Sequence, residues 1–135
     1  ANTISAQKNL DKELLNAFLS KDSATYFFKK AYHKLKSESD TASYLYYKFF
    51  QKDQLIKSDS LQYYAKKLIP LLTKLDSTNR LRKVHLRIYH RNLDNGNYDK
   101  ALKEVQTCLN LAKKNERYFA NIVTLFRYFY SISRF

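Results

Sequence analysis

The sequence predicts an all-α protein, a stack of antiparallel helix hairpins with about seven helices, and three observations carry that expectation. Glycine and proline occur once each in 135 residues, whereas a β-fold consumes both at its turns. Apolar residues recur at spacings of three and four, the period of one helix face. Finally, a pattern returns along the chain. Asp22-Ser23-Ala24-Thr25-Tyr26-Phe27-Phe28-Lys29-Lys30 reappears 37 residues on as Asp59-Ser60-Leu61-Gln62-Tyr63-Tyr64-Ala65-Lys66-Lys67, and Leu35 matches Leu72 in the same register. A third copy opens at Asp99, 40 residues after Asp59, so that Leu61, Ala65, Leu68 and Leu72 map onto Ala101, Val105, Cys108 and Ala112. A period in this range belongs to stacked hairpins, each too small to bury its apolar face alone.

Each copy reads as the second helix of a hairpin. Asp22 with Ser23, Ser58 with Asp59, and Asn97 near Asp99 are expected to cap these helices by accepting hydrogen bonds from free amides. The first helices lie between the copies. Ile4 to Leu19 puts Leu10, Leu14, Ala17 and Phe18 on one face, and Thr41 to Ile56 holds Tyr44, Leu45, Tyr46, Tyr47, Phe49 and Phe50. Leu81 to Leu93 aligns Leu81, Val84, His85, Ile88 and Tyr89, and Glu116 to Ser133 aligns Phe119, Ile122, Val123, Phe126 and Phe129. One domain over 1–135 follows, with hairpins at about 3–37, 40–76 and 78–115 and a final helix at 116–133. The links Lys36 to Asp40 and Asp94 to Asn97 are short and polar, as antiparallel neighbours require. Pro70 is expected to bend or interrupt the second helix of the middle hairpin, because proline lacks the amide donor and crowds the preceding turn.

Hydrophobic residues make up 44% of the chain, enough for a core, and twelve Tyr and nine Phe supply much of the volume. The chain begins at Ala1 and contains no Met, which reads as a trimmed or processed start within a longer protein. No run approaches the ~18 apolar residues of a membrane span. Cys108 is the only cysteine, so no intrachain disulfide can form. The formal net charge of +13 would attract nucleic acid, anionic lipid or an acidic protein, and equally describes solvated lysines on outer helix faces.

Gly96-Asn97-Tyr98-Asp99-Lys100-Ala101-Leu102 resembles the turn that opens the second helix of a tetratricopeptide repeat. Cys108 falls where that family keeps a small residue, and Ile88 matches its first-helix leucine. The departures are Tyr89 at the small crossing position, Asn92 in place of an aromatic, and the missing proline after Leu111. The resemblance implies a right-handed superhelical α-solenoid that binds protein segments. The Asp-Ser, Tyr, paired-Lys units are also similar to arrays in bacterial signalling and regulatory proteins, which implies a sensor or scaffold role in periplasm or cytoplasm.

No catalytic set is expected. Cys108 sits on an apolar stripe, where a thiol is buried and inert. His85 and His90, five apart, point about 140° from each other and share no metal; His90 with Asp94 alone is too weak a pair. His85 reads as a core histidine with a satisfied hydrogen bond. No phosphate loop exists, and neither cofactor nor metal is expected. The family's groove positions fall on Lys83, Leu86, His90 and Leu93 with Arg87 beside them, and one repeat earlier on Ser43, Tyr46, Tyr47 and Phe50. Such a groove suits a protein or peptide with an apolar anchor and an acidic end. The alternative is nucleic-acid binding by a basic ridge of Arg80, Lys83, Arg87 and Arg91, with Arg82 nearby. The apolar final helix, with Tyr128 and Tyr130 flanking Phe129, suggests a homodimer or a docked neighbouring domain.

Overall fold

A computed structural model describes residues 2–53, 59–113 and 116–133. These residues form seven helices and no strand: α1 (Asn2–Leu19), α2 (Ala24–Tyr32), α3 (Glu38–Asp53), α4 (Asp59–Lys74), α5 (Thr78–Asp94), α6 (Tyr98–Ala112) and α7 (Glu116–Ser133). The chain divides into two compact units, residues 1–75 and 76–135.

In the first unit α1 packs on α2 and α3, and α3 packs on α4. The predicted stripe of α1 is buried at Leu10, Leu14 and Ala17, where it meets Ala24, Phe28 and Ala31 of α2. Phe18, Leu35, Tyr44 and Tyr47 close the edges of this core. Leu35 reaches it from beyond the helix. Helix α2 stops at Tyr32, where the amides of Lys34 and Leu35 turn to the carbonyls of Ala31 and Tyr32, three residues back. The repeat register therefore outlasts the helix that carries it. On α4 the buried positions are Leu61, Ala65, Leu68 and Leu72, as the repeat requires. Each fully buried Leu contributes on the order of 2 kcal/mol of transfer free energy.

Several helix starts differ from expectation. Neither Ser23 nor Asn97 makes a side-chain cap; the amides of Phe27 and Ala101 bond the backbone carbonyls of those residues instead. Ser58 lies outside the described residues. The reciprocal cap occurs at α3, which starts at Glu38 rather than Thr41. Ser37 Oγ accepts from the Asp40 amide at 3.1 Å, and Asp40 Oδ2 accepts from the amides of Ser37 and Lys36 at 3.3 and 2.9 Å. Ser37 and Asp40 stand three apart, the spacing of a capping box, so two side chains satisfy three otherwise orphaned donors.

Pro70 does not interrupt α4, which continues to Lys74 with the proline inside it. The ring lies on the exposed face. There water can solvate the carbonyl that loses its donor, while Leu68 and Leu72 keep the opposite face in the core.

In the second unit α6 packs on both α5 and α7. Its core joins Tyr89 of α5, Ala101, Val105, Cys108 and Ala112 of α6, and Ile122 of α7. The tyrosine at the crossing is accommodated because the facing stripe of α6 is built from small side chains. Leu125 and Phe126 carry the apolar face of α7 onto the same core, while Tyr128 and Tyr130 are exposed. The expected stripe positions Phe119 and Phe129 are among the side chains outside the description. The α5–α6 turn is a Schellman closure. Gly96, at φ +75°, donates to the Leu93 carbonyl, and Asn97 donates to that of Asn92.

Candidate binding surfaces

The site residues expected from sequence fall in both units: Tyr46, Tyr47 and Phe50 on α3 of the first, and Lys83, Leu86, Arg87 and His90 on α5 of the second.

On α3 the four positions 46, 47, 49 and 50 separate into two kinds. Phe49 is fully buried and anchors the helix, whereas Tyr46, Tyr47 and Phe50 are half-buried. Their rings form one edge-on assembly. Tyr46 and Phe50 have centroids 4.8 Å apart, Tyr46 and Tyr47 5.6 Å, and Phe49 and Phe50 5.0 Å. Tyr47 also leans on Phe18 of α1 at 6.4 Å. Ser43 is 1% exposed, so it belongs to the core and cannot line a groove. Its small side chain permits close helix approach, which is why a polar residue at that register turns inward.

On α5, Lys83 and Arg87 are exposed, and Leu86, His90 and Leu93 are half-buried. Leu86 and Leu93 pack partly into the second core. Tyr89 and His90 have ring centroids 5.0 Å apart. Of the basic ridge, Arg80 and Arg91 are half-buried, and the neighbouring Arg82 is buried, so the cations differ widely in reach.

Behind this helix lies a polar seam. His85 Nδ1 is 2.6 Å from Glu104 Oε2, so His85 has the partner that its half-buried position demands. Cys108 Sγ donates to the Arg82 carbonyl oxygen at 3.7 Å. Burial pushes the Cys108 thiol up to about 12, and the Glu104 charge adds to this. A thiol with that proton affinity stays protonated at neutral pH and is no nucleophile. Among the described residues no group of three or more His, Cys, Asp or Glu side chains is placed to hold a metal. No helix of the described residues is long and apolar enough to cross a membrane.

A shallow cleft of about 130 Å³ lies between α1 and α2, lined by Glu13, Asn16, Phe27 and Lys30. Glu13 at its rim is paired with Lys34 at 2.6 Å.

Sequence reasoning missed a third cluster, formed where α2, α3 and α4 meet. Tyr32 and Tyr44 have ring centroids 5.5 Å apart. Lys48 Nζ lies 4.9 Å from the centre of the Phe28 ring and 5.9 Å from that of Tyr64. Lys67 Nζ donates to Tyr63 Oη at 2.7 Å and sits 4.4 Å over the same ring. The trace of this cluster in the sequence is Tyr63 with the paired Lys66 and Lys67, whose repeat counterpart Tyr26 pairs with Phe27 outside it.

Compared with protein-family models, curated proteins and solved structures, the chain matches none.

Proposed function

We propose that the chain is a non-enzymatic binding module for a protein segment, a right-handed array of tetratricopeptide-like hairpins serving as the sensor or scaffold part of a bacterial signalling or regulatory protein. The observation that carries this reading is the half-open aromatic ridge of Tyr46, Tyr47 and Phe50, held rigid by the buried Phe49. Rings fixed in advance bury area at low entropic cost, so they suit the apolar anchor of a peptide. The tetratricopeptide part is supported by the common burial register of α4 and α6 and by the Gly96 turn. The net charge of +13 favours an acidic partner.

Selection of displayed peptides on the whole chain tests the proposal. Enriched peptides should carry an apolar residue near acidic ones, and Tyr46→Ala or Phe50→Ala should weaken them about tenfold or more. Unchanged helical circular dichroism separates lost contact from lost fold. Peptides that bind both variants as tightly as the parent would end the assignment to this ridge.

A further inference from the structure

We propose that the surface where α2, α3 and α4 meet binds single-stranded nucleic acid without sequence preference, through Tyr32, Tyr44, Tyr63, Tyr64, Lys48 and Lys67. Its α3 ring, Tyr44, is about 200° around the helix from Tyr46 of the aromatic ridge, with Tyr47 between the two faces, and the inference does not rest on peptide binding.

Four phenols and two ammonium groups converge here from three helices. Tyr63 and Tyr64 stand at 87° with centroids 5.4 Å apart, and Tyr32 and Tyr44 are tilted at 59°. Tyr32 and Tyr63 are 57% and 56% exposed, so each offers open ring surface to solvent. The phenols sense one another. Burial raises the Tyr44 pKa most, and the fields of Tyr64 and Tyr32 raise it further. Lys67 is likewise influenced by Tyr63 first and by Tyr64 and Tyr32 after it.

The surroundings are mainly cationic, with Glu38 paired to Lys74 and Asp40 capping the start of α3 as the nearby acids. Residues 23–37, 41–52 and 60–75 contain no Asp or Glu, yet they hold Lys29, Lys30, Lys66 and Lys67 among other lysines. Lys29, Lys30 and Lys66 are exposed on the helices that carry Tyr32 and Tyr63. A polyanion is therefore drawn to this face along more than one helix.

Ring faces decide which polyanion fits. A single strand presents unpaired bases that stack on tyrosine and phosphates that meet lysine, and both halves of the cluster are used. A duplex keeps its bases stacked inside, away from the rings. An anionic membrane would use the lysines and seat phenols at its interface rather than stack on their faces, so vesicles are one arm of the test. A polycarboxylate would likewise use the lysines and leave the ring faces idle.

The test is fluorescence anisotropy of the whole chain with a labelled oligothymidylate of roughly 16 nucleotides, the upper site size of a comparable aromatic groove. Parallel titrations use a duplex of equal length, polyglutamate, and vesicles of phosphatidylglycerol with phosphatidylcholine. The single strand should bind best, with affinity falling as salt rises. Tyr32→Ala and Tyr63→Ala should each weaken it about tenfold, and Lys67→Gln should flatten the logarithmic salt slope by about 0.7. Because these side chains are exposed, circular dichroism should be unchanged. Lys83→Gln with Arg87→Gln on α5 should leave binding intact. The proposal fails if the oligonucleotide does not bind at low salt, if polyglutamate or the vesicles bind as tightly, or if only the α5 variants lose affinity.

Discussion

His85 Nδ1 and Glu104 Oε2 lie 2.6 Å apart and join α5 to α6 through the half-buried seam of the second unit. Their side chains are 13% and 24% exposed, so the pair is held mostly away from water. Removing one partner strands the other in that environment. Glu104→Ala is expected to destabilise the fold by about 2 kcal/mol, and Glu104→Gln, which keeps a hydrogen-bond acceptor, by less. Urea unfolding of both, with His85→Ala and the double variant, should show non-additive losses.

The turn before α5 and the turn before α6 use the same backbone. Asp76 and Gly96 have φ +54° and +75°, and the next residues, Ser77 and Asn97, have φ −83° ψ 69° and φ −84° ψ 69°. A Cβ built on Gly96 would meet nothing within 4 Å, so glycine is needed there for its torsion and not for room. Gly96→Ala should therefore cost about 1 kcal/mol and Gly96→Asn less, while Asp76→Gly should stabilise by up to about 1 kcal/mol. Thermal unfolding measures all three.

Pro70 stays within α4 at an energetic cost. Pro70→Ala restores a backbone donor on an exposed face without touching Leu68 or Leu72, and should stabilise the chain by about 2 kcal/mol. A rise in the urea midpoint at constant slope would show this. An unchanged midpoint would mean that the helix has already relaxed around the ring.

Alkaline pH should unfold the protein. Burial raises the pKa values of Tyr44, Tyr64 and Tyr89 above 10.0, and that of Cys108 from 9.0 to about 12. The folded state holds these protons more tightly than the unfolded chain does. The associated stability is therefore fully present below the unfolded values, and it is lost as pH rises from about 9 through the folded values. Stability measured against pH should be flat in this contribution near neutrality and fall above about 9. At neutral pH Cys108 should resist thiol reagents until denaturant exposes it.

What the sequence by itself determined is the local part. Seven helices were legible because the apolar spacing has the helical period. The stripes Leu61, Ala65, Leu68, Leu72 and Ala101, Val105, Cys108, Ala112 were legible because each is read within one turn of the next. The capping box of Ser37 and Asp40 is also legible in principle, since the two stand three residues apart, although the apolar run of the helix begins only after Thr41.

Tertiary structure decided which side of each helix stays open and which distant groups meet. Ser43 and Tyr46 share a helix, and only the packing of α3 among its neighbours buries the first and leaves the second half-open. His85 found Glu104, and Lys48 came to lie near both Phe28 and Tyr64, through the approach of whole helices. Periodicity defines a face by a rotation of about 100° per residue along one chain segment. It holds no information on the angle at which a second helix crosses that face, and the meeting of side chains depends on that angle.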